Sequence, residues 1–380
     1  MAIAACVGAV VLTGGQVAAE WEERLGAAGK NAQELSAFVS RASEKYGDMG
    51  RRAAAFLVSG MPEYDLKVLK SDFLMENLGL AIKAREEFPW CKDLPEAVFF
   101  NDVLPYASLD ETREAWRAGF YEQCRGIVKD CRTTTEAVQA INKNLFNMIK
   151  VHYNTGRKAP NQSPSESIKL GKATCTGLSI ILVDACRSVG VPARVAGTPL
   201  WSNKRGNHTW TEIYDSGKWF FTGADEYNKE GLNRAWFVGD ASKAIANDWR
   251  HAIWATSWQR TEHPFPMVWD LENREVPAVN VTARYAKNQE RRIRQSTVYL
   301  RLWDKQGGDR LVSAVELLDG EGKVLAEVTT RAGTTDLNDM PAFKVTTGEE
   351  YRLRVRYEEE ARWENFKAVG EGEETMDLLW

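Results

Sequence analysis

Histidine is scarce in this chain, with four in 380 residues, and no two of the six cysteines are spaced CxxC. Structural zinc modules draw on such pairs and on clustered histidines, so no metal is expected, and no other cofactor is implied. Basic charge is not in excess either, since 49 Lys and Arg stand against 53 Asp and Glu for a formal charge of -4. Without a positive surplus to neutralise phosphates, nucleic acid is not an expected partner. Beyond residue 19 no segment approaches the roughly 20 apolar residues that a membrane-spanning helix needs. Repeats and low-complexity stretches are also lacking, which leaves an ordinary globular chain of several domains.

What is present begins with an uncharged N-terminus. The first 19 residues carry no charged side chain, with an apolar run from Val7 to Leu12 and the small residues Ala18 and Ala19 before Glu20. This reads as an export signal over residues 1–19, although it has no basic residue at its start, and places the mature protein outside the cytoplasm or in the periplasm. Its removal leaves five cysteines, Cys91, Cys124, Cys131, Cys175 and Cys186, so one thiol at least stays unpaired. Cys124 and Cys131 are seven apart on an expected helix, but no disulfide is assigned.

Three parts follow, giving an α+β chain with a helical region, a mixed core and a β-sandwich. Residues 20–132 read as helical, from apolar positions such as Leu109, Trp116, Phe120, Cys124 and Ile127. Ser108 with Glu111, and Thr133 with Glu136, have the spacing of capping boxes at helix starts. Residues 154–167 are rich in turn formers, as expected of a surface loop. A core domain spans 133–272. From 276 to 380 the pattern changes to alternation, as at Val298, Leu300 and Leu302, with glycine turns between runs. That is the pattern of a β-sandwich, and its outline up to a final Tyr351–Val355 strand is similar to carboxypeptidase-regulatory-like and prealbumin-type modules.

The chemistry concentrates in the core. Leu178, Ile181, Leu182, Ala185 and Val189 form one helical stripe, stopped by Gly190 and Pro192, which puts Cys175 in the first turn with Thr174 as N-cap. A thiol there faces unpaired N–H groups and the positive end of the helix dipole, which favour a thiolate and can hold an oxyanion. A lone cysteine before a helix is often just a small buried hydrophobe, the reading that suits Cys186. Downstream, 193–200, 207–214 and 218–222 read as three short strands, the last two joined by the turn at 215–217. His208 opens the second, with Trp210 and Glu212 on its face. His152, His251 and His263 lack such a setting.

Cys-Thr-Gly-Leu-Ser on a helix, a Val-Pro-Ala-Arg-Val strand, Gly-Asn-His-Thr-Trp-Thr-Glu and Lys-Trp-Phe-Phe-Thr-Gly-Ala together resemble the core of the transglutaminase-like superfamily, over about residues 133–236. The resemblance implies a papain-like fold with Cys175 as nucleophile and His208 as general base. In the family's common pattern an Asp lies four residues after the strand tryptophan, but here that position is Gly223. The nearest acids are Asp225 and Glu226. In secreted bacterial members a Gly-Ala pair is followed by a variable residue and then an acid, which favours Glu226 for orienting the imidazole. Gln162 is a candidate oxyanion donor, by similarity to the glutamine upstream of the nucleophile in papain-type enzymes. The implied activity is an amide hydrolase or acyltransferase acting on a protein, peptide or cell-wall amide. The rivals are a non-catalytic protein- or carbohydrate-binding protein of the same fold and a calcium-dependent cross-linking enzyme, against which the chain offers no calcium-type run of alternating acids.

Overall fold

The computed structural model describes residues 21, 23–286, 295–333, 340–346, 349–367 and 372–380. The segment read as an export signal, residues 1–19 with Cys6, lies outside the described residues. Two compact units divide the chain at 286/287.

The first unit is built on helices α1 (Ala32–Gly60), α2 (Ser71–Glu87), α3 (Trp116–Ile127), α4 (Thr134–Ile149), α5 (Pro164–Leu170) and α6 (Cys175–Ser188). α6 is apolar nearly all round, and every residue from Thr176 to Ser188 is buried, as a helix without a polar face must be. It packs on α2, α3 and α4 on one side and on the sheet on the other. The helical segment and the mixed core therefore share one hydrophobic cluster, from Phe38, Leu74 and Phe120 through Ile181 and Leu182 to Val195 and Ile213.

Two short parallel strands, β1 (His152–Tyr153) and β2 (Lys172–Ala173), lead into α6. The main sheet has six antiparallel strands: β3 (Ala193–Thr198), β4 (His208–Asp215), β5 (Lys218–Thr222), β6 (Trp254–Thr256), β7 (His263–Pro264) and β8 (Pro277–Asn280), in the order β5-β4-β3-β6-β8-β7. Ser216 and Gly217, both at positive φ (49° and 85°), close the β4–β5 hairpin with the left-handed backbone that a two-residue turn requires.

Three expectations are corrected here. β8 pairs with β6 in the first unit, so the boundary expected at 276 moves to 286/287, because four residues of alternation cannot reveal which sheet they join. No helix starts at Ser108: Glu111 accepts the N–H groups of Ser108 and Leu109 at 2.7 Å each, but the next helix begins at Trp116. Arg113 and Glu114 are instead held by distant partners, Asp65 and the residues Ser163 and Ser165. Cys131 falls beyond the end of α3, and the five cysteines within the described residues are all free. The Thr133 cap, by contrast, forms, its hydroxyl accepting from Glu136 N–H at 3.1 Å.

The second unit is a sandwich of a four-stranded and a three-stranded sheet, in the orders β11-β10-β13-β14 and β12-β9-β15. Its strands are β9 (Gln295–Trp303), β10 (Ala314–Leu318), β11 (Val324–Thr329), β12 (Ala342–Thr346), β13 (Glu350–Tyr357), β14 (Glu360–Lys367) and β15 (Gly372–Leu379). Val298, Leu300, Val315, Phe343, Leu353 and Val355 fill the space between the sheets. The strand through Tyr351–Val355 is not the last. β14 follows it with hardly a buried residue, so it shows no alternation to read, and β15 returns to pair in parallel with β9.

Two buried arginines fasten the helical layer to α6. Arg117 donates to Asn77 Oδ1 (2.8 Å) and to the carbonyls of Arg187 (2.9 Å), Val103 (2.9 Å), Leu104 (3.2 Å) and Pro105 (3.0 Å). Arg187 donates to the carbonyls of Asp102 (3.2 Å), Ala193 (3.0 Å) and Ala107 (2.8 Å). Burial, with Arg187 nearby, pulls the Arg117 guanidinium down to about 9. Replacing Arg117 by Met strands several buried carbonyls at once, so Arg117→Met is expected to lower stability by about 3–5 kcal/mol. Urea unfolding followed by helical circular dichroism checks this, and a shift under about 1 kcal/mol would contradict it.

Candidate active site

The start of α6 is open. Thr174 occupies the N-cap position with extended backbone, but its hydroxyl makes no cap bond and points to Pro160 O at 3.4 Å. The first turn closes through Leu178 N–H to Thr174 O at 2.9 Å, which leaves the N–H groups ahead of it without a helical acceptor. Cys175 sits there partly exposed. The other four described cysteines are different: burial pushes the thiols of Cys91 and Cys124 up to about 12, Cys186 well above the ordinary range and Cys131 upward.

His208 opens β4 and is 7% exposed. Its ring lies among aromatic side chains, with centroids 4.8 Å from Trp236 and Phe237, 5.8 Å from Trp210 and 6.2 Å from Trp201. Nε2 is buried without a hydrogen-bond partner. Burial alone pushes the imidazole down to about 4, so it is neutral near pH 7. The helix start and the strand start are joined by their next residues, the hydroxyls of Thr176 and Thr209 meeting at 2.9 Å. On the same strand face Glu212 is equally buried, yet it accepts from Arg194, Arg284 and Tyr285. Burial works to raise its carboxyl, but these partners hold it below the usual range.

Neither acid following β5 is bonded to His208. Asp225, at φ 63°, places Oδ2 2.9 Å from Nδ1 of His152. Glu226 accepts from Trp236 Nε1 at 3.0 Å through Oε1, while Oε2 is buried without a partner. Burial, partly opposed by that hydrogen bond, raises the Glu226 carboxyl. β5 ends at Thr222, where Asn142 of α4 takes over: its Nδ2 donates to Thr222 Oγ1 (3.1 Å) and Gly223 O (2.8 Å), and its Oδ1 accepts Asp225 N–H (2.9 Å). A Cβ at 223 would collide with the Glu226 carboxylate where it now lies, so the glycine leaves that side chain its present place.

Gln162 is placed close to the helix start but its amide is occupied. Oε1 accepts from Lys158 N–H (2.7 Å) and Ala159 N–H (3.3 Å), and Nε2 donates to Lys172 O (3.1 Å) and Ser167 Oγ (3.3 Å). It is a clamp on the loop before α6, not a free donor, which corrects its reading as an oxyanion group. Three residues of the site were not legible in the sequence: His152, Asn142 and Trp236. His152 stands on β1, beside the strand leading into Cys175. None has a local pattern to mark it, since each acts on a residue at least ten positions away.

A cysteine opening a buried helix that packs on an antiparallel sheet, with a histidine opening the neighbouring strand, defines the papain-like class of fold. Residues 122–224 match the Transglutaminase-like superfamily, and the chain contains that family's core. The match includes Cys175 and His208 and ends just before Asp225. Similar solved structures include a putative cysteine protease from Cytophaga hutchinsonii, at 20% identity over 39% of this chain and 50% of that one, with a TM-score of 0.29. The Bacillus anthracis TIE protein is 11% identical over 50% of this chain and 30% of that one (TM-score 0.20), and red sea bream transglutaminase 11% over 70% and 63% (TM-score 0.32). The chain thus spans half the length of the first and less than two thirds of the others. A search of curated proteins found no match.

The buried neutral imidazole couples stability to pH. Above the ordinary value of 6.5 neither state is protonated at His208; between there and about 4 the unfolded chain takes up a proton that the folded one refuses. This contribution is therefore complete above pH 6.5 and is lost as pH falls, by about 1.4 kcal/mol per unit and roughly 3 kcal/mol across the window. Denaturant unfolding between those limits is expected to show a shallower pH dependence for His208→Gln than for the parent chain. Equal slopes would mean that the ring is protonated in the folded protein.

Proposed function

We propose that the chain is a thiol-dependent amide hydrolase or acyltransferase with Cys175 as nucleophile and His208 as its base. The observation that carries this reading is the juxtaposition of the uncapped start of α6, bearing Cys175, with the start of β4, bearing His208, joined through Thr176 and Thr209. The neutral imidazole takes the thiol proton, and the sulfur attacks the carbonyl carbon of an amide. The free N–H groups at the helix start receive the oxyanion. Collapse breaks the C–N bond, the amine leaves with the proton from the imidazolium, and a thioester remains. Water then gives up a proton to His208 and attacks the thioester, releasing a carboxylic acid and restoring the thiol; a second amine in place of water yields a new amide. Water is the preferred acceptor, since nothing in the sequence marks a lysine-binding site. The substrate class is a protein, peptide or cell-wall amide, met outside the cytoplasm if residues 1–19 direct export.

A non-catalytic protein- or carbohydrate-binding role is the second reading. It is favoured by the absence of a carboxylate on His208, whose Nε2 has no partner. Mapping iodoacetamide adducts by mass spectrometry near neutral pH separates the two. The catalytic reading expects Cys175 to react first, by at least about tenfold over the buried thiols. It also expects Cys175→Ala to abolish amidase activity on a peptide library with little change in melting temperature. Faster labelling of Cys91, Cys124 or Cys131 would overturn it.

A further inference from the structure

Two buried polar atoms near the candidate site lack partners, and one indole touches both residues that carry them. Nε2 of His208 and Oε2 of Glu226 are each buried and unbonded. Trp236 lies with its ring centroid 4.8 Å from that of His208 and donates its Nε1–H to the other oxygen of Glu226 at 3.0 Å. An unsatisfied buried polar atom costs about 1–3 kcal/mol, and an N–H on Nε2 with a carboxylate oxygen would satisfy each other.

Trp236 also differs from the other tryptophans around the imidazole. Trp201 and Trp210 are 3% and 0% exposed and belong to the core, whereas Trp236 is 63% exposed. Its ring can leave His208 without opening a packed interior. The other titratable groups near this corner are committed elsewhere: Asp225 is paired with His152, and Glu212 with Arg194 and Arg284. The missing Cβ at Gly223 leaves the space that the Glu226 carboxylate occupies.

We propose that Trp236 is a positioning residue that parks Glu226: its indole N–H holds the carboxylate off the imidazole in the resting protein, and displacement of the exposed ring passes Oε2 to Nε2 of His208. A substrate lying across the site would displace it. The proton then stays on Nε2, donated to Glu226, and Nδ1 is left as the acceptor for the thiol proton. The consequence for turnover rests on the catalytic reading above, but the handover is a property of the three side chains themselves.

Histidine labelled with carbon-13 and followed by NMR in the full chain tests this, with the His208 signal assigned by its loss in His208→Gln. Trp236→Phe keeps a ring and removes the N–H. The His208 midpoint is expected to rise by about one pH unit or more in Trp236→Phe. That rise should vanish in the Trp236→Phe/Glu226→Gln double variant, and Glu226→Gln alone should leave the parent midpoint in place. In parallel, alkylation of Cys175 by iodoacetamide at about pH 6 should accelerate up to about tenfold in Trp236→Phe and return to the parent rate in the double variant. An unmoved midpoint in both Trp236→Phe and Trp236→Leu overturns the proposal, as does a rise that persists in the double variant, which would report only water entering the pocket. Adducts on a thiol other than Cys175 overturn the catalytic reading instead, and the His208 titration still decides the role of Trp236.

Discussion

The burial of α6 is the constraint on which the rest of the first unit depends. All thirteen residues from Thr176 to Ser188 are inside, so the helix must be covered by protein on every side, and the helical layer and the sheet supply that cover. Such a helix has no freedom to shift by a fraction of a turn without overpacking somewhere. Its first residue, Cys175, inherits that rigidity while remaining partly exposed. The helical region is therefore part of the core's architecture: without α2, α3 and α4, the helix that presents the thiol would face water with an apolar surface.

Burying this much backbone at the layer junction creates carbonyl groups that secondary structure does not satisfy. Arg117 and Arg187 answer them with donors, each reaching three or more carbonyls between residue 102 and the start of β3. A planar fork with five N–H groups suits that task where a lysine would not. The same α6 carries Asp184, fully buried with both carboxylate oxygens unbonded, and burial lifts it well above the ordinary carboxylate range.

The face of β4 shows how burial can have opposite results within one strand. Glu212 keeps its charge because two guanidinium groups and a tyrosine hydroxyl replace the lost water. His208, four residues away, is surrounded by aromatic rings, and the indole N–H groups of Trp210 and Trp236 among them go to Tyr285 and Glu226, so burial is left uncompensated and the imidazole stays neutral. A neutral imidazole can take a proton from a thiol; a permanently charged one cannot. No carboxylate is bonded to this imidazole: Nε2 has no partner, and Glu226 accepts from the indole of Trp236 instead.

Much of this was legible in the sequence wherever the signal was local and periodic. The apolar stripe from Leu178 to Val189 set the helix and placed Cys175 at its start, the run Lys218–Thr222 matched β5 residue for residue, and alternation, read from residue 276 although the sandwich strands begin at Gln295, marked the sandwich. These depend on the 3.6- and 2-residue repeats that solvent exposure imprints on a chain. What only the tertiary structure decided was which distant groups meet. Asp225 went to His152, Glu226 to Trp236 and the Gln162 amide to the loop around it. The strand Pro277–Asn280 joined the first unit's sheet. Each of these outcomes turns on a hydrogen bond or strand pairing between segments that periodicity treats separately, and a hydrogen bond depends on ångström-scale placement that a repeat pattern does not encode.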